Sequence, residues 1–145
     1  MRSRPLAWTA LAGCLVALGA AAAPTYVMEF MASPGSGVVF TEHISWFSPM
    51  MLGYDDPFPL LASAVVTAMT IVALLCVMGR ASSKALTVLA VVALVVIGAD
   101  FVVFGSGVLN GSDHLRGLAL LVPGGALVAL IASLLSLRAA RVASA

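Results

Sequence analysis

Asp100 is the residue of this 145-residue sequence best placed to do chemistry, because it stands inside an otherwise apolar run from Ala85 to Phe104. A carboxyl group in a membrane span costs about 2.5–3.5 kcal/mol on insertion scales, so such residues turn toward other protein and find a partner. Two roles fit that demand. A desolvated carboxyl is a usual proton carrier in ion-coupled transport. The other role is a structural ion pair. Helical spacing puts Asp100 on the face that carries Leu86, Ala90, Ala93 and Ile97, the small-residue face of its segment. Arg116 begins the next apolar segment at the same end, so an Asp100–Arg116 pair is the expected structural arrangement.

A second group of candidates lies in the connecting segments. Glu42-His43 and Asp113-His114 each set an acid beside a histidine, and the two pairs together would make a polar cluster able to hold a proton or a metal ion. Neighbouring residues diverge by about 100° on a helix, and neither HxxxH nor HExxH spacing occurs, so no metal site is expected. Cys14 and Cys76 each fall within an apolar run, without a CxxC motif or nearby ligands, and read as packing residues. There is no Walker loop, no HExxH helix and no readable serine–histidine or serine–lysine arrangement. No catalytic residue and no cofactor are expected, and the chain reads as a non-enzyme.

The elements that must position these residues follow from composition. Hydrophobic residues make up 62% of the chain and charged residues 9%, with a mean hydropathy of +1.15. A soluble fold could not cover so much apolar surface. A net charge of +1, with the charges scattered between apolar runs, gives no basic field for nucleic acid. Six of the seven basic residues are Arg and the rest of the chain is rich in Ala, Val, Leu and Gly, as in a high-GC bacterial genome. The expected setting is a bacterial cell (inner) membrane, with the lipid bilayer as the first partner.

Crossing about 30 Å of hydrocarbon takes about 20 apolar residues in a helix. Four segments qualify, at about 6–23, 58–78, 85–104 and 118–137, and the fold class is an all-α bundle of four transmembrane helices forming a single domain. Asp56-Pro57 opens the second helix, Gly79 closes it, and Ser83 is positioned to cap the third. The connection between the second and third is so short that they must form an antiparallel hairpin. Arg2, Arg4, Arg80, Lys84, Arg138 and Arg141 all fall on one side of this arrangement, with Arg116 the exception, and Glu29, Glu42, Asp55, Asp56 and Asp113 fall on the other. Basic short loops are retained in the cytoplasm, so both termini are expected there.

The outer loop, 24–57, is long and carries Tyr26, Phe30, Phe40, Trp46, Phe47 and Tyr54. Aromatic residues favour the membrane–water boundary, so Phe40, Trp46, Phe47 and Tyr54 are expected to lay the loop on the bilayer or to fold it over the bundle. Within it, Thr41 is placed to cap a short helix with the apolar stripe Phe40, Ile44, Phe47 and Met51. Pro123-Gly124-Gly125 weakens a turn of the fourth helix. Gly125, Ala129 and Ser133 then form a small-residue stripe suited to close packing within the bundle, with a second copy or with another membrane protein, and Gly13, Ala17 and Ala21 repeat the pattern on the first helix.

Met1 to Ala23 has the basic start, apolar stretch and Ala-rich end of a signal peptide, but its apolar run is long and Pro24 follows directly, so a retained span is the expectation. Leu11-Ala12-Gly13-Cys14 matches a lipobox whose placement is wrong for one. The run Ser45–Leu61, SWFSPMMLGYDDPFPLL, resembles the outer segment leading into the second helix of a group of small uncharacterised four-helix bacterial membrane proteins. Gly53, Tyr54, Phe58 and Pro59 match its pattern and Asp55-Asp56-Pro57 departs from it. The resemblance covers under a fifth of the chain and implies architecture only. The function read from the sequence is therefore an interaction or envelope component, the alternative being a small oligomeric transporter or channel that uses Asp100.

Overall fold

The computed structural model describes residues 4–31, 35, 37, 39–47, 58–109 and 117–143. Four long helices form its body: α1 (Arg4–Ala22), α2 (Phe58–Val77), α3 (Ser83–Leu109) and α4 (Leu121–Ala143), the last led in by a 3-10 turn over Gly117–Leu120. Between α1 and α2 lies an antiparallel hairpin of β1 (Tyr26–Met31) and β2 (Val39–Ile44). Each helix packs against two others, α1 on α2 and α4, α3 on α2 and α4, which closes a four-cornered bundle.

The four expected helices are present; α1 and α2 keep their expected bounds to within two residues, α3 is longer at both ends, and α4 begins three residues later and ends six later than expected. Pro5 falls in the first turn of α1, where its missing amide has no helical partner to lose. At the junction of α2 and α3 the chain turns through a Schellman motif. The Arg80 amide donates to the Leu75 carbonyl at 2.8 Å and the Gly79 amide to that of Cys76 at 3.0 Å. Gly79 has φ +73°, a left-handed conformation that costs glycine nothing and other residues about 1–2 kcal/mol. The cap of α3 is displaced by one residue from its expected place. Ser82, not Ser83, caps it, its hydroxyl accepting from the Ala85 amide at 3.4 Å. Ser83 instead enters the helix and uses its hydroxyl between helices, as described below.

Pro123 breaks nothing. It lies in the first turn of α4, immediately after the 3-10 turn, where an absent amide is best tolerated. The helix runs on past its expected end at Leu137 to carry Arg138 and Arg141 in its last turns.

The short helix expected from Thr41 is instead strand β2. Tyr26 pairs with Ile44, Phe30 with Phe40 and Met31 with Val39. Val39, Thr41 and Ile44 are β-branched and favour extended backbone. Gly35 and Gly37, at φ +90° and +66°, turn the chain back between the strands.

Residue size inside the bundle reverses the pattern of a soluble protein. The buried faces are built from Ala10, Cys14, Ala17 and Ala21 on α1, Ala62, Val66, Met69 and Ala73 on α2, Leu86, Ala90, Ala93 and Ile97 on α3, and Val122, Ala126, Ala129 and Ala132 on α4. The large aliphatic side chains point outward, Val95 being 66% exposed and Ile131 50%. In water that outer surface would be a severe aggregation liability. In lipid nothing drives large apolar groups inward, and small residues let helix backbones approach. Three helices, Arg4–Ala22, Pro59–Val77 and Gly117–Ala143, are long and apolar enough to cross a membrane, and α3 is apolar over Ser83–Ala99.

Candidate functional site

The inward face of α3 follows the expected register. Leu86, Ala90, Ala93 and Ile97 are all buried, and the next step of the same helical row falls at position 100. The side chain of Asp100, and Arg116 as a whole, lie outside the described residues, as do Asp113, His114, Tyr54 and the side chains of Phe40 and Glu42. On the hairpin His43 is exposed, opposite Val27, and position 42 is opposite Met28. Among the described residues no three His, Cys, Asp or Glu side chains converge as metal ligands. Of the segment Ser45–Leu61, residues 48–57 are outside the described part.

The two small-residue stripes meet each other inside the chain. α1 and α4 cross where Gly13 faces Gly125, so closely that a methyl group built on Gly13 would lie 2.7 Å from the Gly125 carbonyl oxygen. One built on Gly125 would lie 2.8 Å from the Ala17 amide nitrogen. Ala129 and Ser133, the rest of the α4 stripe, are buried as well. The stripe thus packs against α1 within the chain.

The segment between α1 and α2 is pinned to the bundle through Trp46. Its side chain is 0% exposed and its indole N–H donates to the Thr25 hydroxyl, also 0% exposed, at 2.8 Å. Its backbone amide donates to the Ala21 carbonyl at 3.0 Å, one of the acceptors that the last turn of α1 leaves without a helical partner. A tight turn across Pro24, closed by the Thr25 amide on the Ala23 carbonyl at 2.8 Å, brings Thr25 into place. Of the two arrangements open to the loop, Trp46 takes the one folded over the bundle, while Phe47 beside it is 39% exposed.

Two seams carry polar contacts that the sequence reading did not foresee. Between α3 and α4 the Ser83 and Ser136 hydroxyls stand 3.1 Å apart, and Thr87 donates to Ser133 at 2.9 Å while Ser133 donates to its own Leu130 carbonyl at 2.8 Å. Spacings of four on α3 and three on α4 are the available signal, since they align hydroxyls along one side of each helix. Between α1 and α2 the Cys14 thiol lies 3.9 Å from the Met69 carbonyl, and Thr70, which bonds its own Val66 carbonyl at 2.8 Å, stands 3.4 Å from that of Cys14. Cys14 is a free thiol packed in that seam.

The Ser83–Ser136 contact also gathers the cations. It sets the α2–α3 turn, with Arg80 and Lys84, beside the last turns of α4, with Arg138 and Arg141. All four are exposed, as is Arg4 at the start of α1. No Asp or Glu occurs in 1–28, 57–99 or 114–145, so the segments that carry these cations are basic. Comparison with family models, with curated proteins and with solved structures finds no match to this chain.

Proposed function

We propose that the chain is a multi-pass protein of a bacterial inner membrane, spanning it four times with both termini in the cytoplasm, and that it acts without enzymatic chemistry on a membrane partner. The reading rests on one observation above the others, the reversal of residue size between core and surface. Orientation rests on the gathering of Arg4, Arg80, Lys84, Arg138 and Arg141 at one end, the pattern retained on the cytoplasmic side. On the opposite side the hairpin leads into the buried anchor Trp46, and a surface held in this way suits recognition of a neighbouring membrane protein.

Retention of the chain in the membrane after alkaline wash tests the first statement, and its release would overturn it. Single cysteines at Ala81 and Gly37, in a C14A/C76A background, test the second. An impermeant maleimide applied to intact cells should label the cysteine at Gly37 and not the one at Ala81. The reverse pattern would overturn the orientation. A transporter that uses Asp100 is the second reading, supported by the buried row of α3 that leads to position 100. Asp100→Asn that abolishes an ion or solute flux in reconstituted vesicles supports the transporter, whereas unchanged flux with impaired assembly supports a structural carboxylate.

A further inference from the structure

The last turn of α1 holds a motif that the packing of the bundle does not require. Ala20 and Ala22 stand third and first before the Ala22–Ala23 bond, after a basic start and an apolar stretch, which is the pattern a signal peptidase cuts. A peptidase takes its substrate as extended backbone free of other bonds, and here the backbone is neither. α1 is helical through Ala22, and the Ala23 amide donates to the Gly19 carbonyl at 3.0 Å. Ala20 and Ala21 are buried. The Ala21 carbonyl, between the two small residues of the motif, accepts from the Trp46 amide at 3.0 Å. Trp46 is held in turn by its buried indole bond to Thr25, three residues past Ala22, at 2.8 Å.

We propose that the Ala22–Ala23 bond is a latent signal-peptidase site that Trp46 keeps shut. The closure is local, because its hydrogen bonds join 19–25 to Trp46, whereas Cys14 lies about two turns deeper in α1. Release of Trp46 therefore frees the last turn while the rest of α1 stays packed, and such local openings are what proteases exploit. Hydrolysis adds water across the bond and leaves a carboxylate on Ala22 and an amine on Ala23. It also severs α1, so Gly125 loses the Gly13 and Ala17 backbone against which it packs. A copy in which Trp46 is not docked is thereby marked for disassembly, and a docked copy is spared. In the cell the inference rests on the membrane reading above, which puts this end of α1 on the outer side, where signal peptidases act.

The test uses the full chain, purified in mild detergent, and a purified bacterial signal peptidase, so it does not depend on orientation in a membrane. The wild type should be cut slowly. W46F removes the indole donor and should be cut about tenfold faster, because cleavage of a transiently opened site follows the open population. The new N-terminus of the product should be Ala23. Ala22 is exposed, so W46F/A22L blocks the motif without disturbing the core and should resist cleavage. Modification of the Cys14 thiol, in a C76A background, should stay slow in W46F, which separates release of the last turn from unfolding of the bundle. Cleavage of W46F no faster than wild type, cleavage at another bond, cleavage that survives A22L, or Cys14 exposure that keeps pace with cleavage would each overturn the proposal. Cleavage of W46F in detergent but not in cells, with the cysteine at Gly37 unlabelled from outside, would instead overturn the orientation and leave the site standing.

Discussion

Replacing Gly125 by Ala should destabilise the bundle, although the same change at the neighbouring Gly124 should not. The added methyl at Gly125 would fall on the Gly13 carbonyl oxygen and lie 2.8 Å from the Ala17 nitrogen and 2.9 Å from the Ala17 methyl. The first two are backbone atoms, which cannot swing aside, so α1 and α4 must move apart. Overpacking of this kind costs about 1–3 kcal/mol. Against it stands the gain of alanine over glycine within a helix, about 0.5–1 kcal/mol. The net effect is a loss of up to about 2.5 kcal/mol from these two ranges. At Gly124 an added methyl meets nothing within 4 Å, so only the gain applies. Both residues follow Pro123 in one turn, which cancels differences in local backbone. The readout is modification of the buried Cys14 thiol in a C76A background as denaturing detergent is raised. G125A should expose Cys14 earlier than wild type and G124A no earlier. If G125A proved as resistant as G124A, the close crossing of α1 and α4 would be refuted.

Trp46→Phe keeps most of the apolar volume but leaves the Thr25 hydroxyl without its buried donor, and should cost about 1–3 kcal/mol in thermal unfolding. Thr25→Val strands the indole N–H in the same way, so the double variant should be less destabilised than the sum of the two, and strict additivity would show that the bond carries no coupling. Ser133→Ala should cost only about 0.6 kcal/mol in detergent unfolding, because side-chain hydrogen bonds between membrane helices average near that value. A loss several times larger would mark the α3–α4 hydroxyl row as a principal source of stability. Ser82→Ala removes the cap of α3 and should cost about 0.5–2 kcal/mol. Its bond is long at 3.4 Å, so the effect belongs at the lower end, and Ser83→Ala should not reproduce it as a capping loss.

Helix faces were legible in the sequence because helical periodicity is local information. Leu86, Ala90, Ala93 and Ile97 could be assigned to one inward face from their spacing, and the structure buries all four. The hairpin was not legible, because the same few residues satisfy two periods. Phe40, Ile44 and Phe47 fit a helical stripe, while Phe40 and Ile44 also share one face of a strand, with Glu42 between them. The deciding features lie upstream at Gly35 and Gly37, which turn the chain and supply β2 with β1 as a partner. Partner choice between helices is non-local in the same way. Gly125, Ala129 and Ser133 describe one side of a contact and suit a second copy as well as another helix of the same chain. What singles out α1 is that glycine must meet glycine. Backbones approaching as closely as those at Gly13 and Gly125 leave no room for a side chain on either helix, so a glycine in one stripe calls for a glycine or alanine opposite. Gly13, Ala17 and Ala21 meet that condition. The contact was therefore present in the sequence as two matching halves, and joining them required the distance between helices that only the fold supplies.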